Sequence, residues 1–236
     1  MSASQSTSKR VPSRSVTGLA FGRVIPAGIT MKFAKRQAVF HSGEPASRFY
    51  EVLDGTLMLF TVLPDGRRQI LEIIPRGWVC GFATDGAYDG SCEALTDATL
   101  MSYSRAEMEA DDPVRSRLLH RAEDQLCVLH DQALTLGRKD AEERLATFLM
   151  RFLPGKAIQH CRNLKGPSAK SLVHIPMSRT EIADYLGLTV ETVSRTITAL
   201  ADKGIVQVGS RRGDMFVNDI CQLCLLARNC SEETDP

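Results

Sequence analysis

Residues 177–200 read MSRTEIADYLGLTVETVSRTITAL, and this stretch limits the fold more than any other. Ser178, followed three residues later by Glu181, is a capping box and starts a helix. Ile182, Ala183 and Leu186 are its apolar positions. Gly187-Leu188-Thr189 is a short turn, with Gly where the chain must bend sharply. Thr189 caps a second helix whose core positions are Val193, Ile197 and Leu200. Two short helices joined by a Gly-containing turn predict a helix-turn-helix. The second helix then presents Val190, Glu191, Ser194 and Arg195 on its other face. Glu191 and Arg195 are four apart and point the same way. Glu accepts from cytosine N4 and Arg donates two bonds to guanine O6 and N7, so the pair suits a major-groove reader. Away from DNA the same spacing is only a surface ion pair, worth roughly a few tenths of a kcal/mol.

Gly204 ends the second helix. Ile205-Val206-Gln207-Val208 and Met215-Phe216-Val217 read as strands around Gly209-Ser210-Arg211-Arg212-Gly213-Asp214, the wing of a winged helix. Arg211 and Arg212 at its tip are natural phosphate contacts. As an alternative, two arginines in a Gly-rich loop are simply hydrated. Beyond the wing, Cys221, Cys224 and Cys230 follow a C-x2-C-x5-C spacing. That spacing suits a thiolate metal site or an iron–sulfur cluster, with a fourth ligand from elsewhere. The competing reading makes Cys221 and Cys224 small core residues of an apolar helix. We assign no cofactor.

Upstream, Gln37 to Tyr103 alternates short strands with turns. Phe49 to Leu53 stops at Asp54-Gly55, a strong hairpin signal. Thr56 to Leu63 ends at Pro64-Asp65-Gly66, and Gln69 to Ile74 at Pro75-Arg76-Gly77. Strands at such spacing predict a compact antiparallel barrel or roll. A long helix follows, started by Asp111-Asp112-Pro113. Leu119, Ala122, Leu126, Leu129, Ala133 and Leu136 recur at spacings of three and four, a heptad seam flanked by charge. We read it as a dimer seam rather than an intramolecular core stripe. Gly137 breaks the pattern as a hinge. The expected division is a disordered tail over 1–18, a roll over 19–112, a dimerisation helix over 113–137 and a winged helix over 138–236. The fold class is α+β and multidomain.

Composition excludes other classes. With 43% hydrophobic and 24% charged residues the chain is globular rather than disordered. A net charge of +1 excludes a histone-like polycation but leaves room for a local basic face. No apolar run is long enough to span a membrane. The N-terminus lacks an apolar signal segment, so a cytoplasmic location is expected. The seven Cys do not read as a secreted disulfide framework. No P-loop, nucleophile elbow, GxGxxG after a strand or HExxH is present, so no enzyme is expected.

The order of roll, long helix and winged helix resembles the CRP/FNR superfamily of transcription regulators. Ser42-Gly43-Glu44-Pro45, Phe49 to Gly55 and Asp65-Gly66-Arg67 resemble its cyclic-nucleotide-binding-like roll. Ala141 to Ala146 is similar to the helix after the hinge in the FNR branch. Gly187 to Arg195 resembles the FNR-type recognition helix almost residue for residue. The resemblance implies a TTGAT-N4-ATCAA palindrome read by a homodimer that contacts RNA polymerase. It implies base reading by Glu191, Ser194 and Arg195, with Val190 beside them. It implies phosphate contacts from Ser178, Arg179, Thr180, Thr189 and Thr192.

No Cys precedes Cys80, so the N-terminal cluster of the FNR oxygen sensor is absent. No Arg lies between Arg76 and Arg105 to neutralise a cyclic phosphate, while Asp85, Asp89, Glu93 and Asp97 would repel it. With both sensors missing, the chain is most similar to the FixK type, which needs no ligand. That type implies an activator of low-oxygen, respiratory or nitrogen-fixation genes. The alternative is a redox or ligand sensor, with a metal, iron–sulfur or haem cofactor gating DNA binding.

Overall fold

The computed structural model describes residues 28–83, 85–154 and 170–227. The expected tail and Cys230 lie outside them. The first unit is built from two four-stranded antiparallel sheets. One has the order β1 (Ile29–Phe33), β8 (Ala98–Ser104), β3 (Arg48–Asp54), β6 (Val79–Cys80). The other has the order β2 (Ala38–Phe40), β7 (Ser91–Ala94), β4 (Thr56–Val62), β5 (Arg68–Pro75). Strand side chains alternate between faces, so Tyr50, Val52, Leu57, Ile74, Cys92 and Leu100 meet inside the roll. The Phe40 ring stacks on Tyr88 at 3.9 Å and on Tyr50 at 5.9 Å, filling that interior with aromatic surface.

Asp54-Gly55 does not make the expected hairpin. β3 pairs with β6 and β8, whereas β4 pairs with β5 and β7, so the chain changes sheets at this point. Gly55 is needed for another reason. It has φ +85°, and a Cβ there would stand 2.4 Å from the Asp97 carbonyl oxygen. Pro64-Asp65-Gly66 does close a hairpin, β4 to β5. The Asp65 carboxylate accepts from the Arg67 backbone at 3.1 Å and from Arg67 Nε at 2.8 Å.

Helix α1 (Arg105–Ala110) follows the roll, opened by a capping box of Ser104 and Glu107. Asp111 then caps α2 (Asp112–Arg138), accepting from the Val114 N–H at 3.1 Å. Val114 and Leu118 pack on Val79 and Tyr103 of the roll. One turn pair further on, the Gln125 amide donates to the Val79 carbonyl and to Glu72 and accepts from the Val79 N–H. Gly137 does not break α2. A Gly inside a helix costs about 1 kcal/mol relative to Ala, too little to stop a helix of 27 residues. The break falls at Lys139-Asp140, where Asp140 and Glu143 form a second capping box and open α3 (Ala141–Met150).

The C-terminal unit holds β9 (Ser171–His174), α4 (Arg179–Leu186), α5 (Val190–Asp202), β10 (Val206–Val208), β11 (Asp214–Val217) and α6 (Ile220–Leu226). Its sheet has the order β10-β11-β9. Leu145, Phe148 and Leu149 of α3 share one core with Ile182, Leu186, Val193, Ile197 and Leu200. The same cluster takes in Met58, Ile70 and Leu95 of the roll. Leu57 points into the roll and its neighbour Met58 points out, so the winged helix packs on the outer face of the second sheet. Gly55→Ala is expected to destabilise the protein by roughly 2–3 kcal/mol, combining a disfavoured φ with overpacking against backbone. Urea denaturation measures it, and an unchanged midpoint would refute the close-approach account.

Candidate nucleic-acid interface

The Ser178 hydroxyl accepts from the Glu181 N–H at 3.3 Å, and the Ser178 N–H donates back to Glu181 Oε2 at 2.7 Å. This capping box opens α4. Gly187 ends it with φ 62° and ψ 40°, the left-handed conformation that Gly adopts without steric cost. Leu188 returns its N–H to the Ala183 carbonyl at 3.1 Å. Thr189 then caps α5, its hydroxyl accepting from the Thr192 N–H at 3.1 Å. Val193, Ile197 and Leu200 face the core, while Glu191, Ser194, Arg195 and Thr198 are exposed.

The base-reading residues taken from the sequence do not all fare alike. Glu191, Ser194 and Arg195 share the open face of α5. Val190 is half-buried and packs in part against the core, so it offers less surface than expected. No ion pair joins Glu191 to Arg195. Instead, hydrogen bonds from its own backbone N–H and from Thr189 hold the Glu191 carboxyl below the usual carboxylate range. Thr198, one turn beyond Ser194, lies on the same exposed face and escaped the sequence reading.

The wing crosses beside the start of α4. Gly213 has φ +91°, and a Cβ there would lie 2.5 Å from the Ile175 carbonyl oxygen. His174 Nδ1 and Asp214 Oδ1 are 2.8 Å apart at its base. A cleft of about 520 Å³ runs between the two elements, lined by Ser178, Arg179, Thr180, Arg211 and Arg212 among others. A neighbouring cleft of about 320 Å³ adds Lys35, Arg36 and His174, and sequence reasoning missed the first two because they are remote in the chain. Thr180, Arg211 and Arg212 are exposed; Ser178 and Arg179 are half-buried. Burial lowers the Arg179 pKa, as expected for a guanidinium with no carboxylate beside it. Among the described residues Arg179, Arg195, Arg211 and Arg212 have no ion-pair partner. Four free cations around one cleft and one helix face fit a polyanion.

Of the three spaced cysteines, Cys230 lies outside the described residues. Cys224 is disulfide-bonded, so its sulfur is not a thiolate ligand here. Cys221 carries a free, half-buried thiol on the same helix. Among the described residues no group of three His, Cys, Asp or Glu side chains is arranged to hold a metal.

Comparison with known proteins agrees with this geometry. Residues 143–226 match the model of the Crp-like helix-turn-helix domain, and residues 30–110 match the cyclic nucleotide-binding domain. The chain is 35% identical to the nitrogen fixation regulation protein FixK of Bradyrhizobium diazoefficiens over 185 residues, 77% of this chain and 75% of that one. The chain belongs to the CRP/FNR family of transcription regulators. Another CRP/FNR relative is the transcriptional activatory protein AadR of Rhodopseudomonas palustris, 34% identical over 75% of this chain and 73% of that one. The solved structure of FixK2 from Bradyrhizobium japonicum superposes with a TM-score of 0.70 at 31% identity, covering 85% of this chain and 97% of that one. The names of these relatives are those of regulators rather than enzymes. No helix among the described residues is long and apolar enough to cross a membrane.

In this CRP/FNR regulator the helix-turn-helix is anchored by Arg144. Its guanidinium donates to the carbonyls of Leu136 at 2.8 Å, Lys139 at 2.8 Å and Leu186 at 2.9 Å. These are carbonyls at the ends of α2 and α4, which helix geometry leaves without partners. Arg144→Ala is expected to cost about 1.5–3 kcal/mol, the range for hydrogen bonds to a charged group. Arg144→Lys should recover little, because an ammonium lacks the planar fork that spans three acceptors. Chemical denaturation of both variants checks this, and full recovery by Lys would contradict it.

Proposed function

We propose that the protein is a cytoplasmic, homodimeric activator that recognises TTGAT-N4-ATCAA without a small-molecule ligand. The observation that carries this reading is the open face of α5, where Glu191, Ser194 and Arg195 stand clear of the core. Glu191 and Arg195 are the groups that read cytosine N4 and guanine O6/N7. Ser178, Arg179, Thr180, Thr189, Thr192, Arg211 and Arg212 hold the phosphates on either side. The Ser178 hydroxyl is engaged with Glu181, so it meets phosphate through a remaining lone pair only by way of a bridging donor, and its backbone position matters more. The names of the relatives, a nitrogen fixation regulator and a transcriptional activator, support a role in low-oxygen, respiratory or nitrogen-metabolism genes, with RNA polymerase as the second partner.

Dimerisation is supported by the face of α2 turned away from the roll. Leu119, Leu126 and Leu129 are 59%, 52% and 37% exposed, and Ala133 is exposed beside them. Ala122 and Leu136 are half-buried at the margin of the stripe. A contiguous apolar stripe of this kind is stabilised by covering it with a second copy. Two copies paired along α2 would present two α5 helices to successive major grooves, the geometry a palindrome requires. The packed aromatic interior of the roll supports the ligand-free reading. The proposed division is a roll over 19–112, a dimerisation helix over 113–137 and a winged helix over 138–236.

Fluorescence anisotropy on the palindrome and on a scrambled duplex, at fixed salt and without added ligand, tests the reading. Selective binding is expected; equal affinity for both duplexes would defeat it. Arg195→Ala should cost about 1–3 kcal/mol and relax discrimination at one guanine per half-site. Arg211→Ala should weaken both duplexes evenly and reduce the salt slope by about one. Leu126→Glu should shift the protein towards monomer in sedimentation and abolish palindrome binding together; a dimer that survives would place the seam elsewhere.

A further inference from the structure

Helix α4 carries two acidic residues three apart, Glu181 and Asp184, and each is held by an arginine of the roll. Arg36, in the turn between β1 and β2, donates to Glu181 and, at 3.3 Å, to Glu93. Its φ of 72° is the sole positive value of a non-glycine residue among those described, and its backbone N–H is tied to the Ala94 carbonyl at 2.8 Å. The Glu181 side chain is only 1% exposed. Burial pushes its pKa up, but bonds from Arg36 and from the Ser178 backbone and hydroxyl more than offset this and hold it below the carboxylate range. Arg68, on β5, donates Nε to Asp184 Oδ2 at 2.7 Å and lies over the Phe60 ring. Next to Asp184, the Tyr185 carbonyl accepts from Gln132 of α2 at 3.1 Å, and Ile70 packs in the shared core.

The two pairs lie one turn apart on α4, and both reach across from the roll. α4 in turn sets α5 through a turn of three residues. A carboxylate left bare at the start of α4 would stand beside the cleft lined by Ser178, Arg179 and Arg212, where it would repel a phosphate. We infer that Arg36 and Arg68 are positioning residues for DNA binding, clasping α4 to the roll so that the recognition helix is held in place without a ligand. This rests on the reading of α5 as the base-reading helix. Neither arginine needs to touch DNA. Each acts by pairing a partly desolvated carboxylate, whose partner cannot be removed without leaving an uncompensated charge.

The test uses the full-length protein with Arg68→Glu, Asp184→Arg and the exchanged double variant, since this pair lies off the DNA-facing cleft. Hydrogen exchange of α4 amides is followed without DNA, and anisotropy on the palindrome and the scrambled duplex at fixed salt. Each single variant should exchange faster at α4 and bind the palindrome about tenfold or more weakly, as coupled contacting residues do. The exchanged variant should restore both, which loss of folding would not allow. Arg36→Gln should also speed exchange at α4. Singles that exchange and bind like the parent, or an exchanged variant no better than the singles, would overturn the clasp. If α4 exchange responds as expected but the parent protein does not prefer the palindrome, the operator reading fails and the clasp stands.

Discussion

One guanidinium decides where the DNA-binding unit sits. Arg144 lies at the first turn of α3 and closes the carbonyl ends of α2 and α4 at once. Helix ends without partners are costly when buried, so the three helices have one low-energy arrangement at this junction. Whatever holds α2 therefore also holds α4. On the other side of α4, Arg151 hydrogen-bonds the Tyr185 hydroxyl and lies over its ring. The apolar core shared with Met58, Ile70 and Leu95 of the roll supplies adhesion, and the arginines supply the register.

The arginines of this protein divide by what surrounds them. Arg36, Arg68, Arg144 and Arg151 bond carboxylates, carbonyls or a phenol between elements. Arg179, Arg195, Arg211 and Arg212 face the cleft and the open side of α5, and among the described residues none of them has an ion-pair partner. A formal net charge of +1 hides this separation, because it sums charges over the whole chain. Affinity for a polyanion depends on the local field rather than the total, so near-neutral composition and a cationic face are compatible.

How much of this was legible in the chain depends on the range of each cause. The helix-turn-helix was legible because every signal for it is local: a capping box at Ser178 and Glu181, a glycine at the bend and apolar residues at helical spacing. The same capping signal occurs at Ser104 with Glu107 and at Asp140 with Glu143. A reading that passes over them misses α1 and ends α2 at Gly137 rather than at the cap that fixes it. Asp54-Gly55 misled because its glycine answers a contact with Asp97, 42 positions on in sequence and invisible to any turn rule. The face of α2 that packs on the roll was hidden for a chemical reason. It includes Gln125, and the part of α2 that meets α4 includes Gln132, both buried polar side chains that hydropathy assigns to solvent. Arg36 and Glu181 are 145 residues apart, and nothing in either neighbourhood announces the other.

These long-range contacts make the outer face of the roll part of a core. In this chain the interior is occupied by Phe40, Tyr50, Tyr88 and the aliphatic residues around them, while the outer face of the β2-β7-β4-β5 sheet is buried against the winged helix. Met58 and Ile70 on that face are as fully buried as Leu57 and Ile74 inside. Selection on such a domain would act on its surface as strongly as on its core. A substitution at Ile70 should then disturb the DNA-binding unit as much as one at Ile74 disturbs the roll, because each fills a core of its own.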